Sequence, residues 1–332
     1  MDRVLLSHGS GGEETHRLIK SLFIKYFSNE ELNKMEDSAI LKSPTEIAFT
    51  TDSFVVSPIF FKGGDIGKLS VAGTVNDLAV MGAKPLYMSC SFIIEEGLSL
   101  LDLERIVVSM ALEAEKSGVK IVTGDTKVVP NGFGDKVYIT TSGIGKVVYR
   151  GLSAFNLEEG DCIIVSGTVG DHGACIFSQR EGIDLFTELS SDCASIWKMV
   201  EPLFESGVRI KAMRDPTRGG LAGVLNDWAE SSGVEIEVNI EDIPVRKEVN
   251  GICEFLGFEP YYLPNEGMVV IAVEEKDTER TLEILKGTDL GKESKLIGRV
   301  LKKAKGRVVL RSPYGARVVI EKPSGELLPR IC

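Results

Sequence analysis

Short β-like runs alternate with helical stretches along the whole sequence, and the pattern resets once, near residues 150–160. Such alternation restricts the chain to α/β or α+β architectures. The reset divides it into two units, and 332 residues suffice for each to bury its own core. In the first unit a glycine-rich turn, His8-Gly9-Ser10-Gly11-Gly12, precedes residues 14–27, where Leu18, Ile19, Leu22, Phe23, Tyr26 and Phe27 share one helical stripe. Strands are predicted at 38–41, 46–50, 87–94, 120–123 and 136–148, with helices at 66–81 and 102–117, the second closed by Gly118. The second unit opens with an apolar strand at 162–165. Helices follow near 171–181, 192–206, 218–231 and 277–286, and strands near 235–240, 268–273 and 294–300. From about Lys302 the apolar periodicity fades, and Pro323, Gly325 and Pro329 disfavour a packed element. The expected division is therefore 1–152, 153–305 and a flexible tail over 306–332 whose last residue is Cys332.

Composition narrows the function classes. Hydrophobic residues at 43% and charged residues at 26% exclude a disordered or fibrous chain. A net charge of −11 opposes non-specific attraction to nucleic acid or anionic membrane, so neither is an expected partner. No apolar run approaches a membrane span, and the opening segment turns polar too early for a signal peptide. Cys90, Cys162, Cys175, Cys193, Cys253 and Cys332 show no CxxC spacing, which points to reduced thiols and a cytoplasmic setting.

No P-loop and no GxGxxG follows a strand. Aspartates recur instead at strand ends or in short turns: Asp37, Asp52, Asp77 and Asp125. Singly, each reads as a turn or cap residue. Asp77 differs, because Asn76-Asp77 interrupts an apolar helical run. Together, converging carboxylates would repel one another without a cation, and hard oxygen ligands suit Mg²⁺ bridging to substrate phosphates. The glycine-rich turn offers main-chain N–H groups to a phosphate, although on local sequence a flexible N-terminal turn fits it slightly better. His8, His16 and His172 are too dispersed for a metal site and read as surface or turn residues. Lys127, two residues after Asp125, could reach a phosphoryl oxygen. Arg214-Asp215-Pro216-Thr217-Arg218-Gly219-Gly220-Leu221 is dense in charge before a helix and reads as a functional loop. Asn265-Glu266-Gly267 puts a carboxylate at the start of an apolar strand, and Gly170-Asp171-His172-Gly173 is a weaker turn of the same kind.

Glu36-Asp37-Ser38-Ala39, Thr51-Asp52-Ser53, the run from Asn76 to Pro85, Gly124-Asp125-Thr126 and the run from Asp215 to Leu221 resemble, in this order, a superfamily of ATP-using enzymes. It includes aminoimidazole ribonucleotide synthetase, selenophosphate synthetase and thiamine-monophosphate kinase. With the opening glycine turn and the closing Pro329-Arg330-Ile331-Cys332, the likeness narrows to the hydrogenase-maturation branch that dehydrates carbamoyl groups. The resemblance implies two α/β domains, with the N-terminal halves of two subunits sharing a β-barrel in a homodimer. It implies Mg²⁺ at Asp37, Asp52, Asp77 and Asp125, and ATP at Gly9, Gly11, Gly12, Asn76, Asp77, Thr126, Asp215, Arg218, Gly219 and Gly220. The implied activity is ATP-dependent dehydration of a carboxamide on Cys332 to a thiocyanate. The carbamoyltransferase HypF would load the thiol, and the HypC–HypD complex would accept the cyano group.

A pliant tail of about 20 residues spans roughly 25 Å, enough to cross a domain surface. Expelling the carboxamide oxygen requires that it first become a phosphate ester, which depends on positioning and charge neutralisation. Lys127 and Glu266 are the expected catalytic partners of Cys332: a cation for the phosphoryl group and a general base for the amide protons. Two alternatives stay open at this level, a small-molecule kinase or synthetase of the same superfamily and an ATP-gated carrier without chemistry.

Overall fold

The computed structural model describes residues 12–18, 20, 39–41, 46–182, 188–324 and 330–332. The first unit runs α1 (Glu13–Leu18), β1 (Ala39–Leu41), β2 (Ile47–Phe54), β3 (Phe60–Phe61), β4 (Gly64–Asp65), α2 (Ile66–Val80), β5 (Ala83–Glu95), α3 (Leu100–Ser117), β6 (Lys120–Val129) and β7 (Val137–Val147). Its sheet has the order β1-β2-β7-β5-β6, antiparallel except where β6 runs parallel to β5. Alternate residues of β2 and β7 face inward, among them Phe54 and Ile139, and α2 lies against them. The Asp65 carboxylate caps α2 by accepting from the N–H groups of Gly67 and Lys68. Gly67 permits α3 to cross closely: a Cβ there would lie 2.3 Å from the Ile106 carbonyl oxygen.

Helix α2 is apolar on nearly every side because it is covered on nearly every side. The sheet lies under it, α3 beside it, and the second unit above. One continuous core joins Val71 and Val75 of α2 to Ile196, Val200 and Ile271 of the second unit.

The second unit runs β8 (Cys162–Val165), α4 (Asp171–Arg180), α5 (Trp197–Glu205), β9 (Ile210–Arg214), α6 (Gly220–Ser232), β10 (Val234–Asn239), α7 (Lys247–Leu256), β11 (Val270–Val273), α8 (Thr278–Lys286), β12 (Lys295–Lys303), β13 (Arg307–Arg311) and β14 (Arg317–Ile320). Its sheet order is β14-β13-β10-β12-β8-β11-β9. Trp228 and Leu225 of α6 pack on this sheet against Ile163, Ile236 and Val308.

The predicted tail begins too early. Residues 307–311 and 317–320 are strands of the second sheet, not tail. Buried Glu235 holds them, taking Arg307 from β13 and Arg317 at 2.7 Å from β14. The chain then passes α6, where Lys322 meets Asp227, and the Pro323 carbonyl oxygen accepts from the Glu13 N–H at 3.2 Å.

Candidate active site around Cys332

Residues 330–332 return to the first unit and lie along the end of β2. The main-chain oxygen of Cys332 accepts from the Val55 N–H at 2.9 Å, and the Arg330 carbonyl oxygen accepts from the Ser57 N–H at 3.2 Å. Arg330 completes the pairing. Its Nε donates to the Val55 carbonyl oxygen at 2.9 Å, its terminal nitrogen pairs with Asp135, and its guanidinium lies 5.9 Å from the centre of the Tyr138 ring. Arg180 of α4 donates to the carbonyl oxygens of Ser57 and Arg330 together. His172 completes the seat, with Nε2 2.7 Å from the Ile331 carbonyl oxygen and Nδ1 2.7 Å from the Ser191 hydroxyl. A neutral ring satisfies both contacts if Nε2 carries the proton and Ser191 donates to Nδ1. Burial holds His172 down to about 4; the Ile331 carbonyl oxygen favours the proton and Arg180 opposes it.

The sulfur thus enters an acidic pocket. Burial pushes the Cys332 thiol up to about 12; the Glu266 carboxyl adds to the shift and Arg218 offsets part of it. Glu266 is 1% exposed, and among the described residues its Oε1 has no hydrogen-bond partner. Burial, and then the charges of Asp215, Asp192 and Asp52, raise its carboxyl well above the carboxylate range against the pull of Arg218. Burial likewise raises Asp52, opposed by Arg218, whose guanidinium lies 3.3 Å from Oδ1, and by the Ser53 N–H. The Arg218–Asp52 pair spans the two units.

Asp77 sits on α2, where the Thr50 hydroxyl donates to Oδ2 at 2.7 Å. Thr50 and Asp52 share the helix-facing side of β2. Asp215 is buried beyond the end of β9. Gly219 and Gly220 follow with φ of +69° and +61°, a left-handed turn that leads into α6.

Other candidates stand elsewhere. Gly9, Gly11 and Asp37 lie outside the described residues, while Gly12 is buried just before α1. Asn76 is fully buried, and its carboxamide is occupied by main-chain groups: Nδ2 donates to the carbonyl oxygens of Ala194 and Glu266, and Oδ1 accepts from the Ile196 N–H. Convergence of Asp125 with Asp52 does not occur within one chain. Register places Gly124, not Asp125, in the row of Asp52, Thr141 and Cys90, so Asp125 projects from the opposite face. Three strand spacings, about 14 Å, also separate them. Asp125 is exposed and pairs with Lys127 at 2.7 Å. Thr126 lies between them on β6, and its side chain is outside the described ones. Among the described residues no cluster of three or more His, Cys, Asp or Glu could enclose a metal ion.

Sequence reading missed His172, Arg180 and Asp192. Its turn at Gly170–Gly173 was the one available signal for His172; that histidine is fully buried and is no surface residue.

The N-terminal domain profile of the AIR synthase related proteins matches residues 35–147, and their C-terminal domain profile matches 158–311. Fold and profiles together define a two-domain protein of the AIR synthase related class. Carbamoyl dehydratase HypE of Cupriavidus necator is 45% identical over 334 residues, covering 99% of this chain and 95% of that protein. A solved HypE–HypF complex matches with TM-score 0.88 at 46% identity over 92% of this chain and 99% of the other. HypE solved in complex with ATP matches with TM-score 0.84 at 44% identity over 99% and 100%. The chain belongs to the HypE family of carbamoyl dehydratases, enzymes of hydrogenase maturation.

Proposed function

We propose that the protein dehydrates the carboxamide carried by its own Cys332, using ATP and Mg²⁺. The observation that carries this reading is the seating of Cys332 beside Glu266, a buried carboxyl with an unpartnered oxygen. The carboxamide oxygen attacks the γ-phosphoryl group of ATP, one amide proton leaves, and an S-bound imidate phosphate and ADP result. Loss of hydrogen phosphate, which takes the second amide proton, leaves S–C≡N. Glu266 is the base that accepts the first proton, and Arg218 balances charge beside Asp52. The seat holds the reacting group still, as a near-attack arrangement requires.

Asp52 and Asp77 would hold the metal, and the donor set fits: Mg²⁺ needs only one or two carboxylates when phosphate oxygens and water complete its shell. When bound, the ion neutralises charge on the transferring phosphoryl group. ATP contact at Gly9, Gly11, Gly12, Thr126, Asp215, Gly219 and Gly220 belongs to the same proposal. So do loading of the thiol by HypF and delivery to HypC–HypD in the cytoplasm. Among the described residues no helix is long and apolar enough to cross a membrane. Carbamoylated protein supplied with Mg-ATP is expected to lose the mass of one water from its C-terminal peptide. An unchanged peptide mass after ATP turnover would reject the reading and favour a carrier.

A homodimer completes the proposal. The outer face of the first sheet exposes Phe49, Tyr87 and Ile93, and edge strand β6 exposes Val122 and Val128. An open apolar edge of this kind invites pairing with a second copy. Asp125 and Lys127 share that outer face, so a paired sheet would carry them toward the other subunit's site. Lys127→Ala and Cys332→Ala homodimers are each expected to be inactive. Mixing and re-annealing them should restore about a quarter of wild-type activity if Lys127 acts across the interface. Zero recovery would assign Lys127 to its own chain's site, and an active Lys127→Ala homodimer would remove it from the chemistry.

A further inference from the structure

Between the tail seat and Glu266 runs one short segment, Ser191–Ile196, whose polar groups reach both. On the seat side, the Ser191 hydroxyl meets His172 and accepts from the Cys193 N–H at 3.0 Å, while the Ser191 N–H donates to the Lys62 carbonyl oxygen. On the other side, the Asp192 carboxylate takes three donors: the Glu266 N–H at 3.1 Å, the Gly267 N–H at 3.1 Å and Asn265 Nδ2 at 2.9 Å. Asn265 is itself anchored, since its Oδ1 accepts from the Gly170 N–H at 2.7 Å. The Ala194 N–H donates to the Glu266 carbonyl oxygen at 3.2 Å. Gly267 packs so tightly on this segment that a Cβ would fall 1.8 Å from the Asp192 carbonyl oxygen.

The main chain of Glu266 is therefore gripped at both its N–H and its carbonyl oxygen. The side chain is held less firmly: among the described residues its buried Oε1 has no hydrogen-bond partner. Its aim depends on the backbone that carries it, which Asp192 and Ala194 of this segment hold together with Asn76 Nδ2 from α2. We propose that this segment is the positioning element of the catalytic carboxylate, with Asp192 holding Glu266 in register and Ser191 tying that register to the seated tail through His172. The inference rests on the reading of Glu266 as the base. Asp192 is a positioning residue: it acts through the main chain of Glu266.

The test uses full-length carbamoylated protein, with single-turnover dehydration followed at saturating Mg-ATP and the KM for ATP measured separately. Asp192→Asn puts an NH2 group against donors and is expected to slow dehydration about 10- to 100-fold, because a misplacement near 1 Å costs that much. The KM for ATP should stay within about twofold, a split that general destabilisation would not produce. Asp192→Glu keeps the acceptor and should recover part of the rate. A wild-type rate in Asp192→Asn, or equal damage to rate and KM, overturns the proposal. Should Asp192→Asn not fold, Ser191→Ala decides: severalfold slower dehydration supports the proposal, and an unchanged rate overturns it. Glu266→Gln, run in parallel, separates the two failures. A normal rate there removes the base itself, whereas a slow Glu266→Gln beside a normal Asp192→Asn removes only the positioning.

Discussion

Glu266→Gln is expected to slow dehydration of the carbamoylated tail by about 10²- to 10⁴-fold, the usual contribution of a general base. Glutamine keeps the volume and the main-chain contacts but cannot accept the amide proton. The site also predicts the pH behaviour. Burial and the neighbouring Asp215, Asp192 and Asp52 hold the Glu266 carboxyl well above its ordinary range, so in the proposed role it would accept a proton only once the pH passes that raised value. The acid limb of the pH–rate profile should therefore lie well above the pKa of a free glutamate, and Glu266→Gln should flatten it. An independent readout shows whether the variant keeps its pocket. Glu266 is the largest charged influence raising the Cys332 thiol, so the unloaded variant should alkylate at lower pH than the wild-type protein. A Glu266→Gln protein with a normal rate and an unchanged acid limb would remove this carboxyl from the chemistry.

Elements with a strong apolar signal were legible in the sequence. The predicted strand at 162–165 and the helices at 66–81 and 102–117 match β8, α2 and α3 within two residues at each end. Strands β13 and β14 escaped because charge interrupts their periodicity. Arg307 and Arg317 fall in the expected tail until the fold places them on Glu235, which lies 72 and 82 positions earlier. The acidic motifs were legible as motifs but not as one cluster. Asp52 and Asp125 look alike, each near a strand end, and only the sheet register puts them on opposite faces. His172 and Asp192 carried no sequence signal strong enough to stand out. Their roles arise from contacts with Ile331 and with Glu266, and neither partner is near in sequence. Asp77 stood out because Asn76-Asp77 interrupts an apolar helical run; Asn76, expected at ATP, serves instead as a main-chain clamp between the two units.

Acidification should destabilise the protein through His172, by about 3 kcal/mol between pH 7 and 4 relative to a His172→Gln variant. Burial depresses this imidazole to about 4, below its unfolded value of 6.5. The unfolded chain therefore binds the proton first. Stability from the neutral ring is complete above 6.5 and is lost as the pH falls toward 4. The hydrogen bond to Ile331 is not what fails, because Nε2 donates in either protonation state. What fails is solvation: a cation would lie buried near Arg180, against the edge-on ring of Phe61 5.5 Å away. Release of residues 330–332 is the least costly way to admit water, so the tail should become sensitive to carboxypeptidase over the same pH window. Asp171 works in the opposite direction. Burial raises its carboxyl to about 6, so protonation below that value relieves a cost of the folded state. The two effects overlap in total stability, and the difference between wild type and His172→Gln isolates the histidine because Asp171 is common to both. Glutamine preserves a donor for Ile331 and an acceptor for Ser191, so its seat should survive at neutral pH. Parallel urea-midpoint curves for the two proteins from pH 7 to 4 would show that His172 does not carry the acid sensitivity of the seat.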